Sequence, residues 1–124
     1  ILHPPTRVAL KKSYLYDLLE KESACQLLPR LGFFEFNHLL RKAKFIMTDG
    51  GSNQEECSYL GTPCLLFRSE TERMEGLNTN VVLSKFNSAI IDDFVANYSK
   101  YRTAPVSENV SPSHFIVDQL KEFI

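Results

Sequence analysis

The chain has 124 residues, 44% hydrophobic and 23% charged, with a net charge of −1 and three cysteines. That length suits one domain with a small core, and the composition is ordinary for a soluble globular protein. So little charge offers no basic field to nucleic acid, the uncharged apolar runs are too short to cross a bilayer, and three cysteines without a C-x-x-C pair argue against a disulfide scaffold or zinc.

The opening Ile1-Leu2-His3-Pro4-Pro5 reads as the end of a strand running into a turn. With no initiator methionine, the expectation is a piece of a longer protein. Thr6 to Lys21 carries Val8, Leu10, Leu15, Leu18 and Leu19 at roughly helical spacing. Cys25 to Leu28 is a short strand candidate stopped by Pro29. Phe36, Leu39, Leu40 and Ala43 recur at i, i+3, i+4 and i+7, which predicts a helix from about Phe34 to Lys42. Phe45 to Thr48 is then a buried strand. Ser52 stands three residues before Glu55, a capping-box spacing that predicts a helix starting near Asn53 and stopping at Gly61, with Pro63 beyond it.

Cys64 to Phe67 is the next strand, followed by a polar loop to Gly76, and Val81 to Leu83 is another. Asp92 to Tyr101 reads as a helix and 102–112 as a connector. Ser113 to Ile124 reads as an amphipathic helix with Phe115, Ile116, Leu120 and Phe123 turned inward. Short apolar strands alternating with helices predict an α/β, Rossmann-like parallel sheet with helices on both faces.

Chemistry concentrates where Phe45-Ile46-Met47 runs into Thr48-Asp49-Gly50-Gly51-Ser52. A strand that ends in a glycine pair and turns into a helix lets backbone approach an anion, and the helix aims free N–H groups and its positive dipole end there. In an open parallel sheet ligands sit beyond the carboxyl ends of the strands, so the loop after Phe67, carrying Arg68 and Arg73, should lie beside this turn. Together Gly50, Gly51, Ser52, Arg68 and Arg73 describe a diphosphate site. A ligand-free tight turn explains the glycines about equally well. Glu55 and Glu56 either favour the helix dipole or, in the case of Glu56, accept hydrogen bonds from ribose hydroxyls. Spacing does not separate these. His3, His38 and His114 have no sequence-local metal partner, and neither metal nor cofactor is expected.

Leu31-Gly32-Phe33-Phe34-Glu35-Phe36, Leu39-Leu40 and Ala43-Lys44-Phe45 lead into Thr48-Asp49-Gly50-Gly51-Ser52-Asn53-Gln54-Glu55-Glu56. Leu60-Gly61-Thr62-Pro63, Arg68, Thr71-Glu72-Arg73 and Glu75-Gly76 follow. In order and spacing this run resembles the UDP-N-acetylglucosamine 2-epimerase family, strongly from Leu31 to Gly76. The His3-Pro4 and Thr6-Arg7 segment is also similar to a family segment.

The resemblance implies the C-terminal, nucleotide-binding domain of a two-domain protein of the glycosyltransferase-B type, lacking its N-terminal domain. It implies that Gly50, Gly51 and Ser52 bind the diphosphate of a UDP-sugar, that Glu56 takes the ribose, and that Arg73 meets the diphosphate or the sugar. Phe36 and the backbone near Leu31 would border the uracil. The implied reaction inverts C2 of UDP-N-acetylglucosamine, or hydrolyses it to N-acetylmannosamine and UDP, by elimination of UDP. The family's proton-transfer groups lie upstream, mostly in the N-terminal domain, so no catalytic residue is expected in this span, and the chain alone is expected to bind UDP weakly and without turnover. A related glycosyltransferase domain and a non-catalytic UDP-sugar-binding module are the rival readings.

Three positions depart from the family pattern. Members commonly read Asp-Ser-Gly-Gly where this chain has Asp49-Gly50-Gly51-Ser52. Asn80 replaces a frequent glycine, which asparagine's tolerance of left-handed backbone would explain. The His3 segment lacks an asparagine common in bacterial members, and no regulatory role is carried to His3. The three cysteines read as reduced cytosolic thiols, so a cytoplasmic protein is expected; polysaccharide biosynthesis is a further expectation, and an exposed sheet edge makes a homodimer another.

Overall fold

The computed structural model describes residues 1–107 and 112–123. The chain divides into two compact units, Ile1–Leu39 and Leu40–Ile124.

In the first unit, α1 (Pro4–Lys12) opens with prolines at its first positions. Their preset φ suits a helix start, and no N–H is wasted there. His3 is extended, with φ −73° and ψ 153°, as the residue before a proline must be. The expected strand tail is therefore a helix entrance. The single helix expected over Thr6 to Lys21 is broken in two. The Ser13 hydroxyl donates to the carbonyls of Ala9 and Leu10, and Tyr14 is left-handed at φ 58°. A second helix, α2 (Leu15–Lys21), starts beyond it.

Cys25 to Leu28 does not form the expected strand. One backbone bond, Leu2 N–H to Leu28 O at 2.8 Å, touches the segment's end, and no ladder extends it. None of the residues 1–39 is buried, so no apolar face enforces extended pairing. Helix α3 (Phe33–Lys42) runs close to its expected bounds. The Glu35 carboxylate accepts the Gly32 N–H at 3.2 Å, tying down the turn before the helix.

In the second unit β1 (Ile46–Thr48), β2 (Cys64–Leu66) and β3 (Val81–Leu83) form a parallel sheet in that order. Cys64 is level with Ile46 on one side and Val81 on the other. The central strand is fully buried, as a continuous apolar run in a parallel sheet requires. Helix α4 (Gly51–Leu60) connects β1 to β2 and packs against all three strands. It stops at Gly61, which is left-handed at φ 67°. Asn80, which is not left-handed, is buried, and its side-chain amide donates to the carbonyls of Cys57 and Thr62 at 2.7 and 2.9 Å. It occupies its position to satisfy the carbonyls around that helix end, not to relieve backbone strain; the left-handed asparagine is Asn78.

Helix α5 (Ser88–Asn97) begins before the expected Asp92, because Asn87 Oδ1 accepts the N–H groups of Ala89 and Ile90. Its expected last turn tightens into a 3-10 helix, Tyr98–Tyr101. Phe94 of α5 is fully buried, edge-on to Phe45 at 5.7 Å and stacked on Tyr101 at 5.3 Å.

Helix α6 (Pro112–Lys121) forms where its periodicity predicts. Its expected inward residues do not turn inward: Phe115, Ile116, Leu120 and Phe123 are 62%, 57%, 55% and 85% exposed. Apolar spacing specifies a helix face but not the surface that covers it. Ile124 and positions 108–111 of the connector lie outside the described residues.

Replacing Gly61 by alanine should cost about 1–3 kcal/mol, because a Cβ there would be strained at positive φ and would overlap the Thr103 carbonyl oxygen. A urea midpoint unchanged in Gly61→Ala would contradict this.

Candidate functional site

Beyond the carboxyl end of β1 the chain turns sharply into α4. Gly50 is the N-cap residue, extended at φ −85° and ψ 124°, and no side chain caps the helix. The capping box expected of Ser52 and Glu55 is therefore absent. The helix starts two residues before Asn53, which moves Glu55 and Glu56 out of the first turn, now free of acidic residues.

Thr48 organises the turn instead. Its hydroxyl oxygen accepts the Gly50 N–H at 3.1 Å and the Asn53 side-chain amide at 2.8 Å. The Gly50 N–H, expected to face an anion, is thereby used. The first helical bond runs from Gln54 N–H to the Gly50 carbonyl. The N–H groups of Gly51, Ser52 and Asn53 have no acceptor among the described residues. Three donors remain, shifted one residue along the chain from those expected, and Ser52 is exposed beside them.

The loop after β2 lies against this turn, as the parallel-sheet argument requires. Phe67 N–H donates to the Thr48 carbonyl at 2.7 Å, and Arg68 Nε donates to the Asp49 carbonyl at 2.8 Å. Arg68 also pairs with Glu72 at 3.2 Å. It was expected to bind the anion itself; here its guanidinium holds the turn's backbone and a neighbouring carboxylate. The Glu72 carboxyl sits below the usual range, chiefly through its own backbone N–H and then through the charges of Arg68 and Arg73.

Arg73 does reach the turn. Its guanidinium rests on the Cα of buried Gly51, where a Cβ would overlap Nη1, and its Nε pairs with Glu55 at 2.9 Å. Gly51 is thus required for close approach rather than for an unusual φ. Glu55 has an ion-pair role and no cap role.

Glu56 is half-buried on the same helix. Its Oε2 is buried with no hydrogen-bond partner among the described residues. Burial, and secondarily the charge of Glu55, raises its pKa above the ordinary 4.5. An acceptor left unpaired in this way costs free energy until a donor arrives.

Sequence reasoning missed Gln54 and Thr71. Gln54 is fully buried and donates to the carbonyls of Arg73 and Glu75 while accepting the Thr71 hydroxyl. A glutamine in a helix gives no sequence signal of burial; only a partner loop returning to the same helix makes it a core residue. Cys57 and Cys64 are both buried, and the Cys64 thiol is pushed up, first by its hydrogen bond with Cys57 and then by burial, so Cys64 is not a ready nucleophile.

The structure thus gathers Gly50, Gly51, Ser52 and Arg73 at one corner, with Glu56 on the helix that starts there. Leu31 and Phe36, both half-buried, belong to the first unit.

A family model described as UDP-N-acetylglucosamine 2-epimerase matches residues 1–112. A UDP-N-acetylglucosamine 2-epimerase of Methanocaldococcus jannaschii is 38% identical over 74 residues, 60% of this chain and 20% of that protein. A UDP-N-acetylglucosamine 2-epimerase homolog of Methanococcus maripaludis is 30% identical over 110 residues, 87% of this chain and 30% of that protein. Among solved structures, the Methanocaldococcus jannaschii UDP-GlcNAc 2-epimerase superposes with a TM-score of 0.82 at 30% identity, covering 98% of this chain. A structure of that enzyme in complex with UDP-GlcNAc and UDP superposes at 0.79, with 28% identity and 97% coverage. This chain spans 34% of each of those two structures. The α/β sheet, the strand-end turn and the match over most of its length lead to one conclusion: the chain belongs to the UDP-N-acetylglucosamine 2-epimerase family.

Proposed function

We propose that this chain is the UDP-binding part of a UDP-N-acetylglucosamine 2-epimerase, and that its task is to hold the diphosphate as UDP leaves the sugar. The observation that carries this reading is Arg73 resting on Gly51 beside three unbonded N–H groups. A guanidinium at the positive end of a helix dipole is unfavourable unless negative charge meets both. Glu55 supplies one carboxylate on one side. A diphosphate supplies the rest, with forked donors from Arg73 and main-chain donors from Gly51, Ser52 and Asn53. The orphan Oε2 of Glu56 suits a ribose hydroxyl, which brings the missing donor. For Leu31 and Phe36 the proposal is the one that the resemblance makes, contact with the base.

In the reaction proposed for the whole protein, a base removes the proton on C2 of the sugar and the C1–O bond breaks. The C–H electron pair becomes a C1=C2 double bond, and UDP departs with the C–O pair. Negative charge on the diphosphate grows as that bond breaks. Donors already fixed at the α4 N-terminus therefore stabilise the transition state more than the bound substrate. Return of UDP to C1 with protonation of C2 on the face opposite the one that lost its proton gives the epimer, and water in place of UDP gives free N-acetylmannosamine. The 124 residues by themselves should bind UDP and turn over nothing.

Calorimetry with UDP tests the proposal. Arg73→Ala should weaken binding about 10–100-fold, the worth of a charge-assisted bond. The urea midpoint should hardly move, because a partly exposed ion pair contributes about 0–1 kcal/mol. Unchanged UDP affinity in Arg73→Ala would contradict the assignment.

Glu56 adds a pH signature. Its folded pKa is raised, so its contribution to stability is full below the unfolded value and is lost as pH rises through the folded value. A ribose hydroxyl donates to the charged carboxylate, so affinity should change the other way and strengthen over the same window. UDP-N-acetylglucosamine is the ligand of choice, since its diphosphate diester does not titrate there. Glu56→Gln should flatten both profiles. An affinity profile identical in the wild type and Glu56→Gln would remove Glu56 from the ribose site.

A further inference from the structure

We infer that Gln54, with Thr71 as its partner, is the positioning residue that places Arg73 on Gly51. This inference rests on the diphosphate reading of the corner for its functional meaning, but not for its geometry.

Gln54 has no exposed surface, and both of its amide N–H groups and its amide oxygen are bonded. Nε2 donates to the Arg73 carbonyl at 3.1 Å and to the Glu75 carbonyl at 3.0 Å, and Oε1 accepts the Thr71 hydroxyl at 3.0 Å. Thr71 Oγ1 in turn accepts the Arg73 N–H at 3.3 Å. Turning the amide over would set Oε1 against two carbonyl oxygens, so the pattern fixes one orientation. The segment from Thr71 to Glu75 belongs to no helix or strand. Gln54 therefore grips the main chain on both sides of Met74.

The position of Gln54 on α4 determines where that grip delivers Arg73. Gly51 and Gln54 are three residues apart, on one helix face. Holding the Arg73 backbone over Gln54 leaves its side chain to lie along that face toward the helix start. There it covers Gly51 and meets Glu55. An apolar residue at position 54 would fill the space without dictating where the loop sits. Burying a primary amide is worthwhile only when all of its bonds are made, and here those bonds specify the course of one loop.

The test uses Gln54→Leu, with Thr71→Val as a second, milder break in the same network and Thr71→Ser as the conservative control. In the wild type the Arg73 Nε–H, bonded to Glu55, should give a distinct, slowly exchanging NMR signal. In Gln54→Leu and Thr71→Val the signal should collapse toward the solvent-averaged arginine position while the dispersed amides of β2 and β3 persist. Thr71→Ser should restore it. UDP affinity should fall with the signal, and Gln54→Leu combined with Arg73→Ala should bind UDP no more weakly than Arg73→Ala alone.

If Gln54→Leu fails to fold, Thr71→Val decides by the same signal. An Arg73 signal unchanged in the folded variants, or losses that multiply in the double variant, would overturn the positioning role. A wild-type chain that shows the fixed Arg73 signal but does not respond to UDP would overturn the diphosphate reading and leave the positioning role standing.

Discussion

Arg73 lies on the Cα of Gly51, and this contact sets the character of the corner. It brings a fixed cation to the end of α4, where the unbonded N–H groups of the first turn already concentrate positive potential. Two positive sources held together oppose folding locally and favour an anion in the same measure. Glu55 offsets part of that cost through its bond to Arg73 Nε. Any side chain at position 51 would push the guanidinium away, so the second glycine of the pair is a condition of the site.

The sheet makes this arrangement possible. Parallel pairing of β1 and β2 brings their carboxyl ends side by side, so the turn after Thr48 and the loop after Leu66 share one edge. Main-chain bonds then lock the two loops together, Phe67 to Thr48 and the side chain of Arg68 to the Asp49 carbonyl. The two arginines of the loop divide the work. Arg68 holds the turn in shape, and Arg73 presents charge at its mouth. At the far end of α4, Gly61 and the buried amide of Asn80 fix the helix against the sheet, so its N-terminus is held from both directions.

The second unit was legible in outline because its signals are local. Short apolar runs marked β1, β2 and β3 within a residue or so, and the Gly50-Gly51 pair marked the corner. Two errors there have one cause, a cap residue that starts the helix earlier than expected. Ser52 and Glu55 match a capping box in spacing, but Gly50 takes the cap position and the Thr48 hydroxyl takes the Gly50 N–H. Asn87 likewise starts α5 ahead of Asp92. Arg68 and Arg73 looked alike in sequence, since only the course of the loop shows which guanidinium bonds the main chain of the turn and which lies on Gly51. Gln54 was invisible for the same reason. In the first unit, Tyr14 broke a helix whose periodicity ran on, and Cys25 to Leu28 lacked the partner that a strand needs.

The claim that an anion docks at the start of α4 is most directly tested by following backbone amide signals of the chain as inorganic pyrophosphate and then UDP are added. Pyrophosphate should move the amides of Gly51, Ser52 and Asn53 together with the Arg73 Nε–H, and UDP should move the same set at lower concentration. Saturable shifts confined to other parts of the chain, with those four signals unmoved, would contradict it.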